Sequence, residues 1–499
     1  MIRCTTKKTV LDGKTVLLDF GLDAFANLDV ELELAEKTEL EIAIGEVVNA
    51  KRNRLRRRPG GFRIFRSMKK LCGPGRETFR FEIAPHKSPY AFSNSVKLPA
   101  EAETEVIPFR YVEITGGRGS ALLTRRELFD DFDDEESFFE SSDENLNGLW
   151  SFGKYTMKAT SAFGLFIDGE RERVPYEGDG YWNQLGWFCS STKSRIAADT
   201  IDWLEKFPTW PTEWRLMMPL MVRDYLLYTG DRAPLEKWLR WLPSRLLPEL
   251  TRADGLLSGD GKVIRDIVDW PPSEMDHYEM GKVNFVPNAC FVQALESMAD
   301  LTGDTKFRTR AEKVRARLRE IMVKNGLPVD NPESAHTALH TAVFALWADV
   351  MPLSQALETL IRSRGMACSV YGAHFLLEVC FRYGMADHGL ALLKSKDLRS
   401  WNNMLEKGAT MAMEAWDDSF KPNQDWNHAW GAAPACIIPR CVCGIRPVAP
   451  GFEKFVCDPA PLALDWKFRQ PTPKGPIEAE MCRGVLKVRA PAGCRRVEA

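Results

Sequence analysis

"DYLLYTGDRAPLEKWL", residues 224–239, is the stretch on which the reading of the fold turns. An apolar helix end (Leu226, Leu227, Tyr228) runs into Gly230 and Asp231, and a second amphipathic segment starts near Leu235. Glycine at a helix C-terminus followed by a short connection signals a pair of antiparallel helices. The same pattern recurs in "SMADLTGDTKFRTRAEKV" (297–314) around Gly303, and in "CFRYGMADHGLALLKS" (380–395) around Gly384. Hairpins repeated in this way between residues 143 and 448 imply either an open solenoid or a closed helical toroid.

The pattern changes on both sides. In "LDVELELAEKTELEIAIGEVV" (28–48), Leu28, Val30, Leu32 and Leu34 alternate with acidic residues, and Leu40, Ile42 and Ile44 do so again. Period two predicts strands with one buried and one wet face, joined near "EKT". "FRYVEITG" (109–116) reads as a closing strand, so residues 1–120 are expected to form a β-sandwich. The basic run "NAKRNRLRRRPGG" (49–61) lacks interleaved aromatics and ends in Pro-Gly-Gly, which favours an exposed hairpin loop over a nucleic-acid patch. Residues 121–142, with the acidic block "FDDFDDEESFFESSDEN" (129–145), read as a linker whose Ser142 or Asp143 caps the first helix. Residues 449–499 return to short strands, a small C-terminal β-domain.

Composition excludes more than it selects. The chain of 499 residues exceeds one ordinary domain, and its net charge of −2 points neither to nucleic acid nor to an anionic membrane. No apolar segment is long enough to span a bilayer, and none follows the first basic residues as in a secretory signal, so a cytoplasmic protein is expected. The 12 cysteines are scattered apart from Cys441 and Cys443, which suits reduced, buried thiols rather than zinc. Fifteen tryptophans raise a carbohydrate-binding reading, although Trp also packs cores. Phosphate-binding glycine motifs, a Ser nucleophile elbow and H-E-x-x-H are all absent, so neither a cofactor nor a metal is expected. His336 and His340, four apart on one helix face, read as core or pocket-edge histidines.

Carboxylates and aromatics remain. "FIDGERERVPYEGDGYW" (166–182) gathers Asp168, Glu170, Arg171, Glu172, Arg173, Glu177 and Asp179 behind an apolar run, with Tyr176 and Trp182 beside them. A solvated loop is the ordinary reading, and a catalytic carboxylate cluster is the sharper one. "DWPPSEMDHYE" places Asp269 and Trp270 before two prolines. "GATMAMEAWDDSFKPNQDWNHAWGAAP" (408–434) sets Glu414 between apolar neighbours, followed by Trp416, Trp426, His428 and Trp430. A carboxylate in a dry aromatic setting is where a pKa rises or a base is held. Glycosidic hydrolysis needs two carboxyl groups flanking the anomeric carbon, and Glu172 or a neighbour, together with Glu414, fits that need.

Together "FESSDENLNGLWSFGKYTMKA", "FIDGERERVPYEGDGYW", "GATMAMEAWDDSF" and "DWNHAWGAAP" resemble the bacterial α-L-rhamnosidases over residues 130–470, with "GFEKFVCDP" resembling the entry to their C-terminal β-domain. The resemblance implies a multidomain, mainly α protein: a six-hairpin (α/α)6 toroid over 143–448, with an N-terminal β-sandwich and a small C-terminal β-domain. It also implies Glu172 as general acid and Glu414 as the base of an inverting pair, about 6.5–9.5 Å apart. Asp168, Arg171, Tyr176, Asp179, Trp182, Asp269, Trp270, Trp416, His428 and Trp430 are then expected around a small carbohydrate substrate. The family's Cys-Pro insertion after the leading Asp is missing, so the loop is shorter here. Another sugar such as L-fucose, a phosphorylase, or a non-catalytic sugar-binding relative are the competing readings. No oligomeric state is assigned.

Overall fold

The computed structural model describes residues 1–87, 94–259 and 263–498. The N-terminal strands are β1 (Ile2–Asp12), β2 (Thr15–Leu34), β3 (Thr38–Gly45), β4 (Phe65–Cys72), β5 (Gly75–Arg80), β6 (Ile107–Thr115) and β7 (Arg118–Leu128). They form one sheet in the order β1-β7-β2-β6-β3-β4, with β5 also on β2. β2 is long enough to serve two layers. Its first half pairs with β6, the register shifts between Asp19 and Ala24, and its second half pairs with β7 and β5. The sheet thereby folds on itself, so Leu28, Val30 and Leu32 share one core with Leu40, Ile42 and Ile44. The alternating runs are strands as expected, yet β2 and β3 do not pair across "EKT"; β3 pairs with β4 and β6.

The basic run lies in the loop of the β3–β4 hairpin, and it is anchored rather than free. Buried Glu113 accepts from Arg54, Arg57 and the Leu55 amide. β7 continues to Leu128, so the N-terminal sheet takes eight residues expected in the linker. The linker's end is also structured: β8 (Phe138–Ser141) is the edge of a C-terminal sheet. The side chain of Asp143 then caps α1 by accepting from the Asn145 and Leu146 amides.

The helices are α1 (Glu144–Ala159), α2 (Glu177–Phe188), α3 (Arg195–Lys206), the short α4 (Thr212–Arg215), α5 (Met218–Thr229), α6 (Leu235–Trp241), α7 (Phe285–Thr302) and α8 (Thr305–Met322). A two-residue ladder of β9 (Val323–Lys324) and β10 (Leu327–Pro328) precedes α9 (Leu339–Trp347), α10 (Gln355–Arg364), α11 (Gly372–Arg382), α12 (Ala386–Leu393), α13 (Trp401–Glu406) and α14 (Pro434–Ile437). Among the described residues α2, α5, α7, α9, α11 and α14 pack in a closed cycle, α14 returning to α2. Outside it α1 lies on α2 and α14, α3 on α5, α8 on α7, α10 on α9 and α12 on α11. This alternation explains the burial. Every residue of α2 and α9 is buried, whereas α8 buries one stripe (Ala311, Val314, Arg315, Leu318, Met322) and leaves its polar face wet. Gly230 and Gly303 occupy left-handed C-caps of α5 and α7, as the recurring pattern predicts. An open solenoid is thereby replaced by a closed ring.

The chain ends in β11 (Ile445–Pro447), β12 (Lys454–Cys457), β13 (Trp466–Gln470), β14 (Ile477–Cys482), β15 (Val485–Arg489) and β16 (Arg495–Val497). β15-β14-β13 is completed by β8, whose Phe139 packs with Phe468 beneath Trp150. The twelve cysteines are all free, and no helix among the described residues is long and apolar enough to cross a membrane.

Where the N-terminal sheet meets the helices, Asp23 and Glu46 are buried carboxyls beside one another. Burial pushes Asp23 up to about 7, and burial together with Asp23 holds Glu46 well above the usual range. Raised carboxyl pKa values contribute stability that is full below the unfolded value and lost as pH rises through the folded one. Asp23→Asn should therefore flatten the fall in thermal stability between about pH 4 and 8 and raise the melting temperature at the alkaline end. An unchanged pH profile in thermal unfolding would discard this account.

Candidate active site

The acid-rich stretch 168–173 is a buried loop leading into α2. Gly169 has φ +139°, and a Cβ there would come within 2.4 Å of Asp425 Oδ2, so the loop and the 408–434 segment approach as only glycine permits. Arg173, at φ +54°, is held in the left-handed region by bonds to Glu170, Glu105 and the Val106 carbonyl. The Ser95 hydroxyl donates to the Glu172 carbonyl and the Val96 amide to that of Arg173. The N-terminal unit thus clamps the loop. It clamps the second segment too: the Phe62 amide donates to the Gln424 carbonyl, and Arg63 grips Asp418 with two bonds of 2.7 Å while lying over Trp426.

The two segments close a pocket of about 240 Å³. At its centre Arg171 Nη2 lies 2.7 Å from Glu172 Oε1 and 2.7 Å from Glu414 Oε1. Those two oxygens are therefore at most twice 2.7 Å, or 5.4 Å, apart. This bound concerns one pair of oxygens bridged by a guanidinium, whereas the inverting spacing of about 6.5–9.5 Å is between the carboxyl groups as wholes. The Tyr176 hydroxyl donates to Glu172 Oε2 at 2.7 Å. Among the described residues Glu414 Oε2 is buried with no hydrogen-bond partner. Burial raises the Glu414 pKa, opposed by His428, Arg171 and Lys421, whose Nζ is 3.4 Å away.

His428 bridges two carboxylates: Nε2 is 3.0 Å from Asp179 Oδ1, and Nδ1 is 3.2 Å from Asp425 Oδ1. Burial alone would lower its pKa, but these bonds raise it well above the ordinary value. Burial also raises Asp179, and it raises Asp168 further with help from Glu172. Asp425 goes the other way: burial works against it, yet the His428 bond and the Arg171 charge keep it low. Glu414, Asp425 and His428 bring ligand-type atoms within 4.8 Å, but an imidazolium donating from both nitrogens has no lone pair for a cation.

Of the residues expected here, Asp168, Arg171, Glu172, Tyr176, Asp179, Trp270, Glu414, His428 and Trp430 line the pocket. Trp182, Asp269 and Trp416 do not. Trp182 lies a turn deeper, stacked on His374 at 4.1 Å. Asp269 is consumed by His340, Ser369 and the Trp270 amide, so it orients Trp270 without reaching the cavity. Trp416 donates to the Cys368 carbonyl and packs on Trp401. His336 and His340 each bond a different aspartate, Asp330 and Asp269. The sequence reading missed Trp210, Trp214, Arg265 and Lys421 in the lining, and Asp425 behind it. The run "FPTWPTEW" (207–214) carries the same Trp-Pro signal as Trp270-Pro271, and Asp425 stands three residues before His428.

The profile of the bacterial alpha-L-rhamnosidase six-hairpin glycosidase domain matches residues 134–442. No curated protein matches the chain by sequence. Among solved structures, the rhamnosidase of Bacillus sp. GL1 superposes with TM-score 0.76 at 19% identity, over 97% of this chain and 53% of that one. The α-L-rhamnosidase of Streptomyces avermitilis, solved with L-rhamnose, gives 0.74 at 17% identity, over 99% and 50%. The rhamnose-bound rhamnosidase of Klebsiella oxytoca gives 0.63 at 15% identity, over 86% and 88%. The chain thus spans about half the length of the Bacillus and Streptomyces proteins. With the profile covering more than half of its residues, this chain belongs to the bacterial α-L-rhamnosidase six-hairpin glycosidase family.

Proposed function

We propose that the protein is an inverting glycoside hydrolase that removes terminal α-L-rhamnosyl residues from glycosides or oligosaccharides. Its helical ring is then the family's (α/α)6 toroid, flanked by the N-terminal β-sandwich and the small C-terminal β-domain. The free thiols fit a reducing compartment, which we take to be the cytoplasm. One observation carries the reading: Glu172 and Glu414, 242 positions apart in sequence, meet in one pocket with an unbonded carboxylate oxygen on Glu414.

Glu172 gives its proton to the glycosidic oxygen as the bond to the anomeric carbon breaks. Glu414 Oε2 takes a proton from the attacking water, whose oxygen bonds to that carbon from the opposite face. Asp168 and Asp179 meet sugar hydroxyls, and Trp214, Trp270 and Trp430 supply apolar faces. Arg171 stabilises whichever of the two glutamates is ionised.

Purified protein should release nitrophenol from 4-nitrophenyl α-L-rhamnopyranoside. Because burial raises Glu414, and the base works only when ionised, kcat/KM should fall with decreasing pH through a midpoint above about 4.5. Absence of release, with cleavage of another glycoside such as an L-fucoside, would reassign the sugar. Inversion and retention are told apart by the anomer first released. Proton NMR of the first-formed sugar separates them: β-L-rhamnose means inversion, and α-L-rhamnose means a covalent intermediate on Glu414.

A further inference from the structure

Exposure gives the pocket a direction. Asp168, Glu172, Asp179, Glu414 and His428 are buried, Trp210 and Trp270 are half-buried, and Arg265 is exposed. The reacting carboxylates therefore lie at the closed end, and a leaving group points past Trp210 and Trp270 towards Arg265.

Arg265 differs from the other cations around the site. Arg171 is paired with Glu172 and Glu414, Lys421 with Glu414, His428 with Asp179 and Asp425, and Arg63 with Asp418. Among the described residues Arg265 has no acidic partner; its guanidinium lies over the Trp210 ring, 4.4 Å from the centroid. Its backbone is fixed: the Arg265 amide donates to the Trp210 carbonyl, and the Thr212 amide to that of Arg265. Trp210 in turn meets Trp270 edge to face, with ring centroids 6.4 Å apart. A guanidinium stacked by one face keeps its in-plane N–H groups free, and that edge is matched by a planar carboxylate. A neutral sugar offers hydroxyls but no charge to this donor.

We propose that Arg265 makes the mouth a leaving-group subsite selective for an acidic sugar, so that the preferred substrates are α-L-rhamnosides of uronic acids. This rests on the rhamnosidase reading above and deepens it. The uronate leaves with its hydroxyl restored by the proton from Glu172, and its carboxylate is unchanged throughout.

The test compares α-L-rhamnosyl-(1→4)-glucuronate with α-L-rhamnosyl-(1→4)-glucose, which differ only at the carboxylate, on the wild type and on Arg265→Gln. The expected kcat/KM ratio is about tenfold in favour of the uronate for the wild type and close to one for the variant, as for loss of a charge-assisted hydrogen bond. Because the cation is exposed, added salt should shrink the wild-type ratio. A wild-type ratio near one, or a ratio that survives Arg265→Gln, overturns the inference. Cleavage of 4-nitrophenyl α-L-rhamnopyranoside but of neither disaccharide overturns the inference alone. Failure on all three overturns the rhamnosidase reading and this inference with it.

Discussion

Glu414→Gln should lower turnover of 4-nitrophenyl α-L-rhamnopyranoside by about 10²–10⁴-fold while the protein unfolds at a near-native temperature. The amide is isosteric and keeps a carbonyl oxygen near Arg171, but it cannot take a proton from water. Glu172→Gln should cost at least about a hundredfold on a natural glycoside and distinctly less on the nitrophenyl substrate, whose leaving group needs little protonation. That asymmetry assigns the roles. Equal, mild losses in the two variants would sink both assignments, and a harsher loss for Glu172→Gln on the activated substrate would exchange them. Circular dichroism and thermal unfolding alongside the kinetics keep a folding defect from passing as a catalytic one.

Arg171→Met should be the most damaging change for stability. It removes the guanidinium that Glu172 and Glu414 share and leaves a buried charge without it, and breaking such a group by removing one partner costs about 3–5 kcal/mol. The sign with pH follows. Without the cation the Glu414 pKa rises further, and the cost falls due only while the Glu414 carboxylate is charged. The destabilisation should therefore be largest at neutral pH and shrink as pH falls, in denaturant titrations of variant and wild type at matched pH. A pH-independent loss would mean that the packing of the arginine stem, not its charge, is what the fold uses.

Much of this was open to reading along the chain because it is local. Alternation of apolar and acidic residues in 28–44 fixes strand faces, glycine after an apolar helix end marks Gly230 and Gly303 as C-caps, and Asp143 before Leu146 marks the start of α1. The carboxylates of 168–179 and the motif around Glu414 were likewise visible, since catalysis needs particular functional groups and motifs keep them in order. The errors came where chemistry alone was taken to predict position. Asp269 and Trp416 look like site residues in a string, but Asp269 spends its oxygens on His340 and Ser369, and Trp416 its N–H on Cys368.

The sequence by itself determined the helical hairpins, the strands at either end, and the presence of two carboxylate motifs set among aromatics. Each of those follows from residues within a few positions of one another, where backbone geometry and side-chain spacing are the only physics needed. Tertiary structure alone decided that the ring closes from α14 onto α2, that β2 bends to serve two layers, and that β8 crosses to the C-terminal sheet. It also decided that Ser95 and Arg63 brace the site, that Asn427 accepts from the Glu170 amide, and that one guanidinium spans Glu172 and Glu414. The contacts that bring the two carboxylate motifs and the N-terminal unit together join residues 77 to 355 positions apart. They are selected by burial, which makes an unpaired charge or amide costly and so favours a partner wherever in the chain that partner lies.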